Sequence, residues 1–118
     1  MMMDKNTINC QELQKLLEEN KDLILLDVRD EEKFLAGTFQ ANHVKTLNRP
    51  YLIMKETQEP VDEPTAQSWK DKPIITFCTS GNKAGKAATL LREHGFHAVS
   101  LEGGLTAWKA FESGVEKD

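Results

Sequence analysis

Cys78 stands between a run of apolar and β-branched residues, Ile74 to Phe77, and a short polar turn, "TSGNK". The residues beyond, "AGKAATLL", have the composition of a helix. A cysteine so placed faces the amino end of the following helix, where unpaired N–H groups and the positive end of the helix dipole favour an anion. A thiolate is such an anion. Ser80, Gly81 and Asn82 are residue types that let the loop curl and aim successive N–H groups inward. Lys83 and Lys86 add positive charge at the rim. The spacing predicts a small cradle for a sulfur anion or an oxyanion, with Cys78 as its nucleophile. The competing reading is a small core thiol at a strand end, and the polar run directly after Cys78 weighs against it.

Two phosphate readings of the same loop fail on residue count. GxxxxGK[ST] needs glycine at Ser80, ahead of Gly85 and Lys86, and a hydroxyl at Ala87 to reach Mg²⁺. A cysteine phosphatase or arsenate reductase of the C-x5-R type needs arginine at Ala84, whose side chain cannot bind a phosphoryl group.

The elements that must position Cys78 follow from the apolar patterning. Asn9 can cap a helix over "CQELQKLLEEN", with Glu12 completing a capping-box-like pattern and Leu13, Leu16 and Leu17 forming one apolar face. Leu23 to Val28 is a continuous apolar run, as expected of a strand covered on both faces. "RDEEKFLAG" predicts a short helix or turn that begins acidic and stops at Gly37, and a brief strand is expected around Val44. From Arg49 to Lys72 the chain is polar and broken by Pro50, Pro60 and Pro64, which predicts a loop carrying one or two short helical segments. Ile74 to Phe77 is a second buried strand. Ala84, Ala87, Ala88 and Leu91 give the next helix a small-residue face, ending near Gly95. "HAVSL" is another strand, "EGG" a turn, and "LTAWKAF" a last helix with Leu105, Trp108 and Phe111 inward. Alternating strands and helices predict an α/β fold with a parallel sheet. Ligands of such sheets sit beyond the carboxyl ends of the strands, which is where Cys78 falls.

At 118 residues, residues 1–118 are expected to form a single domain. A formal net charge of −4 gives no reason to expect nucleic acid or an anionic membrane as partner. No apolar run approaches the roughly 20 residues that span a bilayer, and "MMMDKNTINC" lacks the apolar core of a signal peptide. Two cysteines, Cys10 and Cys78, are too few for a disulfide scaffold. Reduced thiols in the cytoplasm are expected.

Two longer segments resemble one family. "LLDVRDEEKFLAGTFQANHV" resembles the DVR-x-x-x-E-[FY]-x-x-G-H-I-x-G-A segment of single-domain rhodaneses. "CTSGNKAGKAATLLREHGFHAVSLEGGLTAW" is similar to their C-x-S-G-x-R-S loop, following helix and L-x-GG-x-x-x-W ending. The resemblance covers nearly the whole chain in the right order. It implies a three-layer sandwich, with a parallel sheet of about five strands and helices on both faces. It also implies a sulfurtransferase in which Cys78 carries sulfur as a persulfide held by backbone N–H groups from Thr79 to Lys83. The implied reactants are a small sulfur donor such as thiosulfate and a thiol, cyanide-like or protein sulfur acceptor, with no metal or organic cofactor. Asp27 and Arg29 match the family's DVR and are expected to make structural hydrogen bonds beside the site, and Glu32 is matched to a family carboxylate that orients backbone.

The chain departs from the family at several positions. Lys83 replaces the usual loop arginine, and Thr79 stands where thiosulfate-using members often carry another. Lysine keeps the charge but not the bidentate fork. "GTF" replaces "GHI", and "AN" the following "GA". A rival function is therefore a non-catalytic binding or regulatory domain on the same fold. Other residues carry plainer expectations. His94 and His97 straddle Gly95 without a third ligand, so no metal site is expected there. His43 reads as a surface or loop residue, Cys10 as a structural thiol, and Trp108 and Phe111 as core anchors.

Overall fold

The computed structural model describes residues 6–19, 22–38, 44, 46–57 and 67–113. The apolar run after Leu23 forms a strand whose residues are all buried, and "PIITF" and "HAVSL" do the same apart from their first residues. Side chains alternate across a strand, so each run feeds two cores. Leu25, Ile75, Phe77, Val99 and Leu101 lie on one face of the sheet, while Ile24, Leu26, Ile74 and Ala98 lie on the other.

In chain order the elements are β1 (Thr7–Ile8), α1 (Cys10–Glu18), β2 (Ile24–Asp27), α2 (Glu31–Ala36), β3 (Thr46–Asn48), α3 (Tyr51–Thr57), β4 (Pro73–Phe77), α4 (Asn82–Glu93), β5 (His97–Leu101) and α5 (Gly104–Glu112). Residues 67–69 are also helical. The five strands form one parallel sheet in the order β1-β5-β4-β2-β3. Its first face is covered by α1, through Leu13, Leu16 and Leu17, and by α5, through Leu105 and Trp108. The second face is covered by α4, through Ala84, Ala87, Ala88 and Leu91, and by Met54 of α3. The alanine face brings α4 close to β4 and β5 because nothing larger than a methyl group separates most of the contact. The result is the expected α/β sandwich with helices on both faces.

The ends of α1 and α4 follow the expected chemistry. Asn9 Oδ1 accepts the Glu12 N–H at 2.8 Å, while Glu12 Oε1 accepts the Asn9 N–H at 2.9 Å. Two donors that the helix leaves unpaired are thus satisfied reciprocally. Asn9→Ala is expected to destabilise the fold by about 1 kcal/mol, read as a lower urea midpoint at unchanged slope. After α4, Gly95 takes φ +89 before the chain turns into β5.

Three local expectations shift. The brief strand placed around Val44 lies at Thr46–Asn48, with Val44 an isolated bridge residue. The polar stretch 49–72 holds α3 and the helical residues 67–69, as foreseen, and both anchor on the sheet through Met54 and Trp69. Strand β1 had no residue-level signal. Two residues show no period, and Thr7–Ile8 becomes a strand because the edge of β5 offers Ser100 and Leu101 as ladder partners. Phe39, His43, Pro60 and Pro64 lie outside the described residues.

Candidate active site

The strand order reverses between β2 and β4. The chain leaves β2 towards β3 on one side and leaves β4 towards β5 on the other. A crevice opens between the carboxyl ends of such a pair, and parallel sheets place ligands there. Asp27 closes β2, Cys78 follows β4, and the Val28 N–H donates to Phe77 O at 3.0 Å between them.

Cys78 is only 4% exposed. Its Sγ accepts the Gly81 N–H at 3.0 Å and the Ala84 N–H at 3.4 Å. Gly81 is required for this geometry. Its φ of +107 is accessible to glycine, and a Cβ would lie 3.3 Å from Gly103 N. Ala84 contributes because α4 starts at Asn82, so its N–H belongs to the first turn and has no intrahelical acceptor. Backbone donors from Thr79 to Lys83 are the ones expected to hold a persulfide. Among the described residues, the sulfur accepts hydrogen bonds from Gly81 within that run and from Ala84 beyond it. Ala84 has no polar side chain, and its backbone is what reaches the sulfur.

Thr79, Ser80, Asn82 and Lys83 are exposed and line a hollow of about 210 Å³ over Cys78. Arg29, Asp30 and Lys33 form its other side. Lys86 is not among them. It lies in the second turn of α4, past the loop, and lines a separate hollow with Tyr51, Lys55 and Glu93.

The loop is held from behind by α5. The N–H groups of Leu105 and Thr106, two of the unpaired donors at that helix's start, bind Cys78 O at 2.8 Å and Thr79 O at 3.1 Å. Gly104 makes this approach possible, with φ +61 and no Cβ to overlap the Cys78 carbonyl. The "EGG" turn of the sequence therefore has a positional purpose that its glycines only hinted at.

Asp27 is fully buried and receives a converging set of donors. The Arg29 N–H donates to Oδ1 at 2.9 Å, and Arg29 Nε to Oδ1 at 3.0 Å. Arg29 NH2 donates to Oδ2 at 2.8 Å and also binds Gly37 O at 2.6 Å. Thr38 Oγ1 donates to Oδ2 at 2.8 Å. A buried carboxylate needs such pairing to remain charged. Asn48 Nδ2 donates to Asp27 O at 2.9 Å and Arg29 O at 3.0 Å, joining β3 to the same corner. Asp27 and Arg29 thus tie the end of β2 to the turn after α2, and Arg29 also lines the hollow.

Glu32 is exposed, and among the described residues its side chain has no hydrogen bond. Its proposed match also fails on counting. Laid from Asp27, the DVR-x-x-x-E-[FY] pattern puts its carboxylate at Lys33 and its aromatic at Phe34. Cys10 packs in the cluster on the face opposite Cys78, and no disulfide joins them. Trp108 and Phe111 pack ring to ring at 5.4 Å on α5. His94 and His97 are both exposed, and the described residues hold no group of three metal-ligating side chains.

Comparison with known proteins agrees with this architecture. The Rhodanese-like domain profile matches residues 9–111. A Bacillus subtilis protein, putative sulfurtransferase YtwF, is 32% identical over 108 residues, which are 91% of this chain and 93% of that one. The maize adenylyltransferase and sulfurtransferase MOCS3-2 is 30% identical over 102 residues, 86% of this chain, but the chain spans only 20% of that relative's length. The human single-domain sulfurtransferase TSTD1 superposes with a TM-score of 0.72 at 24% identity, covering 89% of this chain and 96% of its own, a likeness of fold. With the profile spanning both the β2 corner and the Cys78 loop, this chain belongs to the rhodanese-like domain family.

Proposed function

We propose that this protein is a sulfurtransferase that carries sulfane sulfur on Cys78, with residues 1–118 acting as one domain. The observation that carries the reading is the sulfur itself, nearly buried and receiving N–H groups from Gly81 and Ala84. Two backbone donors stabilise a sulfur anion without any cofactor, and a residue this little exposed beneath a hollow suits a narrow sulfur-tipped donor.

In the first step the Cys78 thiolate attacks the outer sulfur of a donor such as thiosulfate. A bond forms between Sγ and that sulfur, the bond to the sulfonyl sulfur breaks, and its electron pair leaves on sulfite. Cys78 then bears a persulfide anion within reach of the loop's N–H groups. In the second step a thiol or cyanide-like acceptor attacks the terminal sulfur, and the pair of the broken S–S bond returns to Sγ. One difficult transfer becomes two easier ones. Lys83 offers positive charge to the donor's oxyanion without the bidentate fork of an arginine. Asp27 and Arg29 hold the β2 corner against which the loop is set. A reducing compartment such as the cytoplasm keeps the thiol available. The names of the relatives, putative sulfurtransferase and single-domain sulfurtransferase, support the same reaction class.

Intact-mass measurement after incubation with thiosulfate tests the reading. The expected result is a gain of one sulfur atom that peptide mapping places on Cys78 and that cyanide removes as thiocyanate. A Cys78 that stays unmodified with thiosulfate, and with organic persulfides as well, would leave the non-catalytic rival as the better description.

A further inference from the structure

Cys78's hollow receives cationic side chains from two separate elements. Lys83 comes from the start of α4 and Lys33 from α2, across the crevice. Arg29 also faces the hollow, but its guanidinium is engaged by Asp27 through both Nε and NH2. Asp30 supplies the opposing carboxylate. It makes no side-chain cap to α2 and lines the same space. The position after the cysteine, Thr79, carries no charge. Outside the Arg29–Asp27 pair, the positive charge lining this space is that of Lys33 and Lys83, set against the carboxylate of Asp30.

Resting on the sulfur-transfer reading, we infer that Lys33 is a specificity residue that binds the oxyanion end of the sulfur donor. A donor whose outer sulfur meets the 4% exposed thiol must project its remaining atoms outward into the hollow. About 210 Å³ leaves room there for a tetrahedral oxyanion group. The oxyanion then lies in the hollow that Lys33 of α2 and Lys83 of α4 both line. Lys33 thus replaces, from another element, positive charge that the loop lacks at Thr79. It also stands where the family pattern has a carboxylate, which would repel the same anion. The class of donor selected is a small sulfur compound with an anionic oxygen-bearing end.

Competitive alkylation reads this property directly, without requiring sulfur transfer. Iodoacetate and iodoacetamide differ by one negative charge and attack through the same carbon. Their rates at Cys78 are followed by peptide mass, with Cys10 mapped separately. Lys33→Gln is expected to lower the iodoacetate-to-iodoacetamide rate ratio about three-fold and Lys33→Glu about ten-fold, as for a unit charge a few ångströms away in a water-like dielectric. The ratio cancels any change common to both reagents, and Lys86→Gln, in the neighbouring hollow, should leave it unchanged. An unchanged ratio in Lys33→Glu overturns the assignment, as does equal slowing of both reagents, which would mark a merely structural role. If the ratio falls as expected but neither thiosulfate nor an organic persulfide loads Cys78, the sulfur-transfer reading fails and the anion site stands. If thiosulfate loads and the ratio is indifferent to Lys33, this inference fails alone.

Discussion

Cys78→Ser protein is expected to produce thiocyanate from thiosulfate and cyanide at the uncatalysed rate, a loss of at least about a thousandfold. The hydroxyl is close to the thiol in size and can accept the Gly81 N–H that now reaches Sγ at 3.0 Å. The cradle should therefore stay intact, and the melting temperature should shift by only a few degrees. What is lost is chemical, because serine oxygen forms no persulfide under these conditions. The mass gain after thiosulfate must vanish from the Cys78 peptide at the same time. A Cys10→Ser variant, altered on the opposite face of the sheet, should retain both signals. Persistent turnover in Cys78→Ser would show that the sulfur passes through some other group.

Gly104→Ala should be the most damaging substitution that touches no reacting atom. Alanine at φ +61 costs about 1 kcal/mol in backbone strain. Its Cβ would also overlap the Cys78 carbonyl and lie 2.7 Å from Thr79 O. Those are backbone atoms, so relief requires α5 to move off the loop. The Leu105 N–H would then lose its 2.8 Å bond to Cys78 O, and the loop would lose its support. Together these terms predict about 3 kcal/mol of destabilisation and a drop of roughly 10 °C in melting temperature. Activity of the fraction that remains folded should fall as well, since Gly81 and Ala84 no longer meet a fixed sulfur. Gly85→Ala provides the contrast. Its Cβ would meet only Ser100 Oγ at 3.9 Å, and alanine inside a helix is favoured by up to about 1 kcal/mol. Equal effects of the two substitutions in a thermal melt would refute the packing argument for Gly104.

Much of this arrangement was legible in the order of residue types. The fully apolar runs before Asp27 and Cys78 read as buried strands because a strand covered on both faces has no polar alternation to show. The alanine and leucine face of α4 and the Asn9–Glu12 box were equally local, each written within a few residues. Strand β1 and the burial of Met54 were not, since both depend on partners far away in the chain. The same division runs through the site. Cys78 and the curl of its loop could be read directly, because helix-end chemistry is local. Lys33 and Lys86 could not be sorted by spacing. One meets the hollow because α2 folds over the β2 corner, and the other leaves it because it sits a turn down α4.

By itself, then, the sequence determined a parallel α/β sheet with a cysteine at a strand's carboxyl end, through apolar runs, helix faces and a polar glycine turn. Only the tertiary structure decided which donors reach the sulfur and which charges face it. Sγ is met by Gly81 and Ala84 in a loop that α5 holds from behind through Gly104, a contact between backbones far apart in the chain whose partner the glycine alone does not name. The charge of the hollow was likewise decided by strand order. It sets the end of β2 beside the end of β4, so that Arg29 and Lys33 from one side of the crevice and Lys83 from the other line the same hollow as Cys78.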